Sequence, residues 1–486
     1  MNKILLSLIV FFITHNVFSQ KDSITILSYT QVIELALMQS PEALKNKTRK
    51  ENSYWAWKSF KAGYLPKFSL ESYLPSYSKS IRRWTNSDGS DRTAMQERIT
   101  PIATLSGEQL IGATGGTIRL SSHLKPTINY STNTENYELN AFDITYYQPI
   151  LSFNRHKWDK KIQDLKLLEA DKDYFLNMEQ TAITATQFYF DLMIAQINLE
   201  ISKLNLANND TIFKIAKGRY DLGKIAENEL LQIELQFLKS QQSLDQASMD
   251  IENYQLKLKN FIAIKDSKKI ILLLPEVLLK TNINYQLALE KAKLNNPDVI
   301  QFERQRLEAQ KNLKKAKTEN GFNANLRLNY GYSGTADHMY ELDNNIDPAN
   351  TITAGLEIPI LDWGRRKASI NQAKANQRLT EYTVEQNIVN FEQEIFTQLN
   401  TFQIQKSQVD IAKKADIIGQ KRYESAKNRY LIGNITITDM NIATTEKDAA
   451  RISYIRALKN YWISYYSIRK LTLYDFILKQ DIITQE

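Results

Sequence analysis

The chain has 486 residues, of which 24% are charged, with a formal net charge of +8 and no cysteine. The missing cysteine excludes thiolate metal sites, CxxC redox chemistry, a disulfide scaffold and a lipid-modified cysteine behind a leader. The basic excess is spread as Lys and Arg among Asp and Glu along helical stretches, as on solvated faces, so no nucleic-acid partner is expected.

The first residues carry the only long apolar run. Asn2 and Lys3 precede Ile4–Phe12, and Val17, Phe18 and Ser19 form a small-residue end. This reads as a signal peptide over residues 1–19, exporting the chain; the run is short for an anchor helix of about 20 residues. A helix is expected over Ser28–Ala62. An extended region follows, with a turn-like stretch at Arg82–Asp91 and a glycine-rich one (GATGG, Gly112–Gly116) inside Thr100–Leu124. A phosphate loop would need a helix after the glycines; here Ile118-Arg119-Leu120 continues as strand, so a long hairpin on the outer face is expected. Long helices are expected over Asn154–Lys217 and Glu227–Ile262, joined by the turn KGRYDLG (Lys217–Gly223).

After a connecting segment, Ala263–Asn284, the same order recurs. A helix is expected over Tyr285–Thr318, then strands, then long helices over Gly364–Lys427 and Thr438–Leu473 joined by KNRYLIG (Lys427–Gly433). Three blocks match in order. Tyr29, Glu34, Ala36 and Pro41 align with Tyr285, Glu290, Ala292 and Pro297; Pro149-Ile150-Leu151 aligns with Pro359-Ile360-Leu361; the two RY-x-x-G turns align at the same spacing. The reading is an internal two-fold repeat: 20–262 and 285–473, linked by 263–284 and followed by a tail, 474–486.

Apolar residues recur every seventh position in two stripes of the first long helix, Met178, Ala185, Leu192, Leu199, Leu206 and Ile183, Phe190, Ile197, Leu204, and in one of its return helix, Leu230, Phe237, Leu244, Ile251, Leu258. Sustained heptads imply coiled-coil packing, and two stripes on one helix imply neighbours on two sides. In the second extended region Leu326, Leu328, Tyr330 and Tyr332 alternate with Asn325, Arg327 and Asn329; Ile352, Ala354, Leu356 and Ile358 alternate with Thr353, Gly355 and Glu357. That is a membrane-barrel strand, apolar to lipid and polar to lumen, or a half-buried soluble hairpin. With two strands per repeat the chain would hold four, too few to close a barrel of at least about eight, so the strands imply an oligomer.

The paired PIL elements, the paired RY-x-x-G turns and the duplicated helical start resemble the TolC-like outer-membrane efflux protein family. The most similar stretch is Arg429–Thr472. The resemblance implies a mainly α fold with a β-barrel part: helical hairpins forming a periplasmic α-barrel, and four transmembrane strands per subunit in a twelve-stranded trimeric barrel. It implies an outer-membrane exit duct of a tripartite efflux or type I secretion system. Its partners would be two further copies of itself, outer-membrane lipid, a periplasmic adaptor (membrane fusion) protein and a proton-driven or ATP-driven inner-membrane pump. It also implies that the hairpin tips form the entrance and the adaptor dock. Arg219, Tyr220, Gly223, Arg429, Tyr430 and Gly433 would then dock the adaptor, or only shape the turns. Asp439, Glu229 and Tyr430 would form the periplasmic gate, Asp439 as an acidic ring or merely as a favourable charge at a helix N-terminus. The chain departs from the family pattern at Ile442, where a second aspartate is common, and at Ile435, where the closing latch has arginine.

No enzyme is expected. His15, His123, His156 and His338 lack HExxH spacing, no G-x-S-x-G is present, and Glu227 with Glu229 read as tip charges. No catalytic residue, metal or cofactor is expected. Tyr461, Trp462, Tyr465 and Tyr466 read as packing, or as a membrane-interface belt. The competing reading of the whole is a periplasmic or surface coiled-coil structural or adhesion protein without a channel.

Overall fold

The computed structural model describes residues 24–484, apart from 86, 267, 276–281 and 345; the signal-peptide segment lies outside them. In chain order the elements are β1 (Ile24–Leu27), α1 (Tyr29–Gln39), α2 (Pro41–Ala62), β2 (Lys67–Tyr73), β3 (Tyr77–Thr85), β4 (Asp91–Ile99), β5 (Ile102–Ile111), β6 (Gly116–Asn129), β7 (Thr134–Pro149), α3 (Arg155–Asp221), α4 (Glu227–Phe261), β8 (Lys269–Leu272), α5 (Tyr285–Asn295), α6 (Pro297–Glu319), β9 (Asn323–Ala336), β10 (Ile346–Glu357), α7 (Arg365–Leu431) and α8 (Ile437–Thr472). The helix expected over Ser28–Ala62 is two helices, and so is the one over Tyr285–Thr318. The cause is the same in both. The residue before a proline is driven out of the helical region, and Ser40 and Asn296 are extended, with ψ of 147° and 132°. Each then caps the next helix: Ser40 Oγ accepts from Ala43 N at 3.0 Å and Asn296 Oδ1 from Asp298 N at 2.9 Å. The helices α3 and α7 each run 67 residues, about 100 Å at 1.5 Å per residue.

The chain divides into two units. The first takes the chain up to Lys45, with Asn177–Asn282 and Gln398–Lys470. Here the heptad residues pack: Ala185, Leu192, Phe190 and Leu258 are fully buried, whereas Leu204, at the end of the second stripe, is 53% exposed. Tyr461, Tyr465 and Tyr466 are buried as well. Trp462 packs tilted against Tyr29 at 4.8 Å between centroids, and Tyr29 donates to or accepts from Thr186 Oγ1 at 2.8 Å. The aromatic cluster is therefore packing. The segment after α4 returns as β8 and pairs in parallel with β1, Ile26 opposite Ile271. Gln196 of α3 fastens it, donating to Ile270 O at 2.6 Å and accepting from Leu272 N at 3.2 Å.

The second unit takes Asn46–Leu176, Ile283–Thr397 and the tail. It holds one eight-stranded sheet, β2–β7 with β9 and β10. The expectation of four strands is corrected: six come from residues 67–149 and two from 323–357. The cause is in the first extended region. Its turn-like stretch is the turn between β3 and β4, and its glycine run is a second turn, between β5 and β6, so the chain crosses twice more than the second region does. β2 and β3 lie end to end, as do β4 and β5, interrupted at Pro75 and Pro101; Thr100 N donates to Ser76 O at 2.7 Å across the interruption. The sheet is thus six strands wide. The alternation expected in β9 and β10 places like residues opposite one another: Leu328 opposes Ile352, Leu326 opposes Ala354, and Arg327 opposes Thr353.

Ion pairs join the helices of this unit. Arg304 grips Glu169 with Nε at 2.6 Å and Nη2 at 2.9 Å, both side chains largely buried. Asp173 lies near the same group. Burial, then the Glu169 and Asp298 carboxylates, push it up to about 6, against the pull of Arg304. The tail forms a small hairpin, Tyr474–Asp475 with Gln480–Asp481, and Lys291 of α5 holds Asp481 at 3.0 Å.

A folded-state pKa near 6 means that the native state holds a proton which the unfolded state, titrating near 4, has lost. Native stability therefore falls as pH rises through about 6. Asp173→Asn should raise the thermal midpoint at pH 7.5 and leave it nearly unchanged at pH 4.5; equal shifts at both pH values would show that the charge of Asp173 is not the cause.

Candidate functional site

The candidate site is at the two helix reversals in the first unit, α3 to α4 and α7 to α8. Both use one backbone device. Gly223 N donates to Tyr220 O at 2.8 Å and Lys224 N to Arg219 O at 2.8 Å. Gly433 N donates to Tyr430 O at 2.9 Å and Asn434 N to Arg429 O at 2.9 Å. This is the Schellman closure, in which the fifth N–H returns to the second carbonyl and the sixth to the first. It needs a left-handed residue at the fifth place, and the glycines have φ of +67° and +80°. The Arg and Tyr of each motif supply only carbonyls. Their side chains are not required by the turn.

Those side chains are used differently in the two turns. Tyr220 is 39% exposed, whereas Tyr430 is 6% exposed, packed with Ile212, Ala216, Ile233, Tyr423, Ile437 and Met440. Burial pushes the Tyr430 phenol up; the Glu229 carboxylate adds to this and the Arg219 guanidinium opposes it. Arg219 also reaches across to the other reversal, Nη2 donating to Leu431 O at 3.3 Å. So Arg219, Glu229 and Tyr430 come together, although the sequence places them on both reversals. Ile435, which stands where the latch has arginine, packs against the same apolar cluster.

Asp439 is apart from this group, on the exposed side of the first turn of α8. Its Oδ2 accepts from Thr436 N at 3.2 Å and Thr436 Oγ1 at 2.7 Å, while its own N donates to Thr436 Oγ1 at 3.2 Å. This is a reciprocal capping box with an aspartate in the acid position. These hydrogen bonds, with Arg429 nearby, hold the carboxyl below the usual aspartate range. Helix α4 has Ala226 before it and no side-chain cap. Ile442, one turn on, is 45% exposed.

Thr436 and Asn208 were missed in the sequence. Thr436-x-x-Asp439 is legible as a capping pattern. Asn208 has no local signal. It joins the two hairpins by donating to Tyr423 OH at 3.1 Å and accepting from Lys427 Nζ at 3.2 Å, partners more than 200 residues away.

The model of the family described as Outer membrane efflux protein matches residues 288–472. No protein of curated function matches the sequence. Among solved structures, the chain is similar to the Campylobacter jejuni CmeC outer membrane channel, with 17% identity and a TM-score of 0.65, covering 91% of this chain and 85% of that one. It is similar to CusC, with 15% identity and a TM-score of 0.63, covering 91% of each. It is also similar to the outer membrane protein VceC from Vibrio cholerae, with 14% identity and a TM-score of 0.61, covering 92% and 95%. At these identities the likeness establishes the fold, which is that of TolC-like outer-membrane channels.

A Cβ at Gly223 or Gly433 would meet nothing within 4 Å, so the left-handed backbone alone opposes a side chain. Gly223→Ala and Gly433→Ala should each lose roughly 1–2 kcal/mol, read as faster amide exchange confined to the reversals. Unchanged exchange in both would remove the Schellman assignment.

Proposed function

We infer that this chain, whose residues 288–472 match the family described as Outer membrane efflux protein, is the outer-membrane exit duct of a tripartite efflux system. The duct is passive and catalyses nothing: it conducts what an inner-membrane pump and a periplasmic adaptor deliver. The sheet lies in the outer membrane and the helical hairpins extend into the periplasm. The observation that carries this reading is the sheet's register. Ile118, Tyr146, Leu328 and Ile352 form one cross-strand row, and the next row, Glu108, Arg119, Thr145, Asn329 and Thr351, is polar. A sheet that is mainly apolar on one face and mainly polar on the other separates lipid from a wet lumen.

The working form is a homotrimer. Helix α7 supports this with an outward apolar stripe at near-heptad spacing, Tyr382, Val389 and Phe396, then Ile404, Ile411 and Ile418, all more than half exposed. Such a stripe on a coiled-coil helix calls for a second helix, and a further copy of this chain supplies one. Residues 20–262 and 285–473 act as two repeats of one unit; the shared proline breaks and the shared Schellman closures support the duplication. The pump is proton-driven or ATP-driven, the latter including type I secretion.

At the entrance, Asp439 from each copy forms the acidic ring, and Tyr430 with Glu229 forms the closing contact. Arg219 supplies the cation that Ile435 cannot. Exposed Tyr220 and Arg429 are offered to the adaptor, while buried Tyr430 is not, unless the entrance opens.

Asp439→Asn keeps an acceptor for Thr436 and removes only the charge. In single-channel recording it should lower cation selectivity and block by multivalent cations. In the parent, selectivity should persist as pH falls through the ordinary aspartate range and be lost only below it, since the folded carboxyl titrates low. Unchanged selectivity in the variant would remove the acidic-ring assignment. Separately, Arg219→Ala should raise the open-channel conductance or the sensitivity of cells to detergents at normal protein level. A variant indistinguishable from the parent in both would exclude Arg219 from the closing contact.

A further inference from the structure

The first extended region brings one hairpin more than the second, and its place is open: it lies in the membrane or projects outside. We propose that the β2–β5 hairpin crosses the outer membrane and packs its apolar row against lipid acyl chains, so that each chain contributes six membrane strands. This rests on the duct reading above.

Three observations carry it. First, the ladder continues level across all six strands. Phe68, Gly107, Leu120, Ile144, Tyr330 and Asn350 oppose one another in a single row, and Lys67, Glu108, Arg119, Thr145, Asn329 and Thr351 in the next. Cross-strand partners share a face, so Phe68, Leu70 and Leu105 lie on the face of Ile118, Leu120, Ile144 and Ile352. The three are 75%, 70% and 57% exposed. The opposite face of the hairpin is polar along its middle, at Lys67, Ser69, Glu71, Thr104, Ser106 and Glu108, with Tyr73, Ile102 and Leu110 at its ends. Ser69 Oγ and Ser106 Oγ meet at 3.1 Å, and Arg119 reaches Glu108 at 2.6 Å. A soluble outer hairpin has no need to keep bare leucine and phenylalanine on one side only.

Second, the hairpin spans the same height as its neighbours. The turn between β5 and β6 returns to the helices, where Asn154, just before α3, donates to Gly112 O at 3.1 Å and Ala113 O at 3.0 Å. Gln109 reaches back to Tyr64 O, after α2, at 2.7 Å. The glycines are needed there: a Cβ at Gly116 would meet Tyr147 O at 2.9 Å, and Gly115 has φ of +80°. β5 therefore ends at the level at which β7 enters α3.

Third, the character changes at the prolines. Beyond Pro75 and Pro101, β3 and β4 carry Lys79, Arg82, Arg83, Arg92, Glu97 and Arg98. Adjacent residues such as Arg82 and Arg83 point to opposite faces, so both faces are charged there. A lysine or arginine on the lipid face costs about 2–4 kcal/mol at mid-bilayer. The membrane boundary falls at the prolines, with β3 and β4 outside and β2 and β5 within. Three copies would then enclose about eighteen strands, and barrel width grows with strand number.

The absence of cysteine makes the test direct in the full chain. Single substitutions Leu70→Cys and Leu105→Cys, Ser69→Cys and Ser106→Cys are labelled with a fluorophore in vesicles containing bromine-tagged acyl chains. Ile144→Cys and Ile352→Cys serve as lipid-facing references, and Arg82→Cys as the aqueous one. The label at 70 and 105 should be quenched as strongly as at the lipid-facing references, with loss of reactivity toward a membrane-impermeant maleimide. Positions 69 and 106 should stay unquenched. Free aqueous reactivity at 70 and 105, matching position 82, would overturn the proposal. Should positions 144 and 352 also escape quenching, the duct reading itself fails, which distinguishes the two outcomes.

Discussion

A backbone N–H or carbonyl left unpaired in hydrocarbon costs several kcal/mol, and the β part of this protein is arranged under that penalty. Inside the sheet the ladders run from β2 through β10, interrupted by one irregularity at Asn140–Phe142 of β7 and the facing Ser121–His123 of β6. At its two sides, among the described residues, β2 pairs only with β5 and β10 only with β9. Such a sheet in lipid must have its edges completed by other strands, which the proposed homotrimer would supply. The same penalty fixes the register. A slip of one residue would turn Leu328 and Ile352 to the lumen and Arg327 and Thr353 to the acyl chains.

The helical part answers to a different demand. Helices of 67 residues cannot bury themselves in a globule of this size, so their stability comes from side-by-side packing. Where two helices approach closely, small residues permit it: a Cβ at Gly419 of α7 would meet Lys447 Cα of α8 at 3.3 Å. At the reversals, the Schellman closure satisfies the last carbonyls without help from any side chain. That leaves Arg219, Tyr220, Arg429 and Tyr430 available for other work, and the two halves use them unequally. In the first, arginine bridges and tyrosine is exposed; in the second, tyrosine is buried and arginine lies near Asp439.

Asp439 has a structural role that suits the entrance role proposed for it. The capping box with Thr436 orders the start of α8 and keeps the carboxylate ionised. The two hydrogen bonds that the carboxylate accepts from Thr436 fix its position and hold its protonation state. The corresponding start of α4, after Ala226, has no such box, which places the fixed charge on the second hairpin alone.

Much of this was legible in the sequence. The heptads gave the long helices, because burial along a straight helix repeats every two turns; alternation gave the faces of β9 and β10; glycine marked both reversals, because only it takes the left-handed backbone freely. Local signals of that kind depend on neighbours a few residues away. The number of strands was not legible: the first extended region is rich in polar residues and prolines, and its four extra segments become strands only by pairing with one another and, through β4 and β5, with β6. Nor was the meeting of Arg219 with Tyr430 and Glu229, or the bridge through Asn208, since those partners are about 200 residues apart and no periodicity links them. The sequence by itself determined which segments are helix, which face of a strand is apolar and where the chain reverses. The tertiary structure alone decided how many strands share the sheet and which charges meet at the tips, because both are set by contacts between segments distant in the chain.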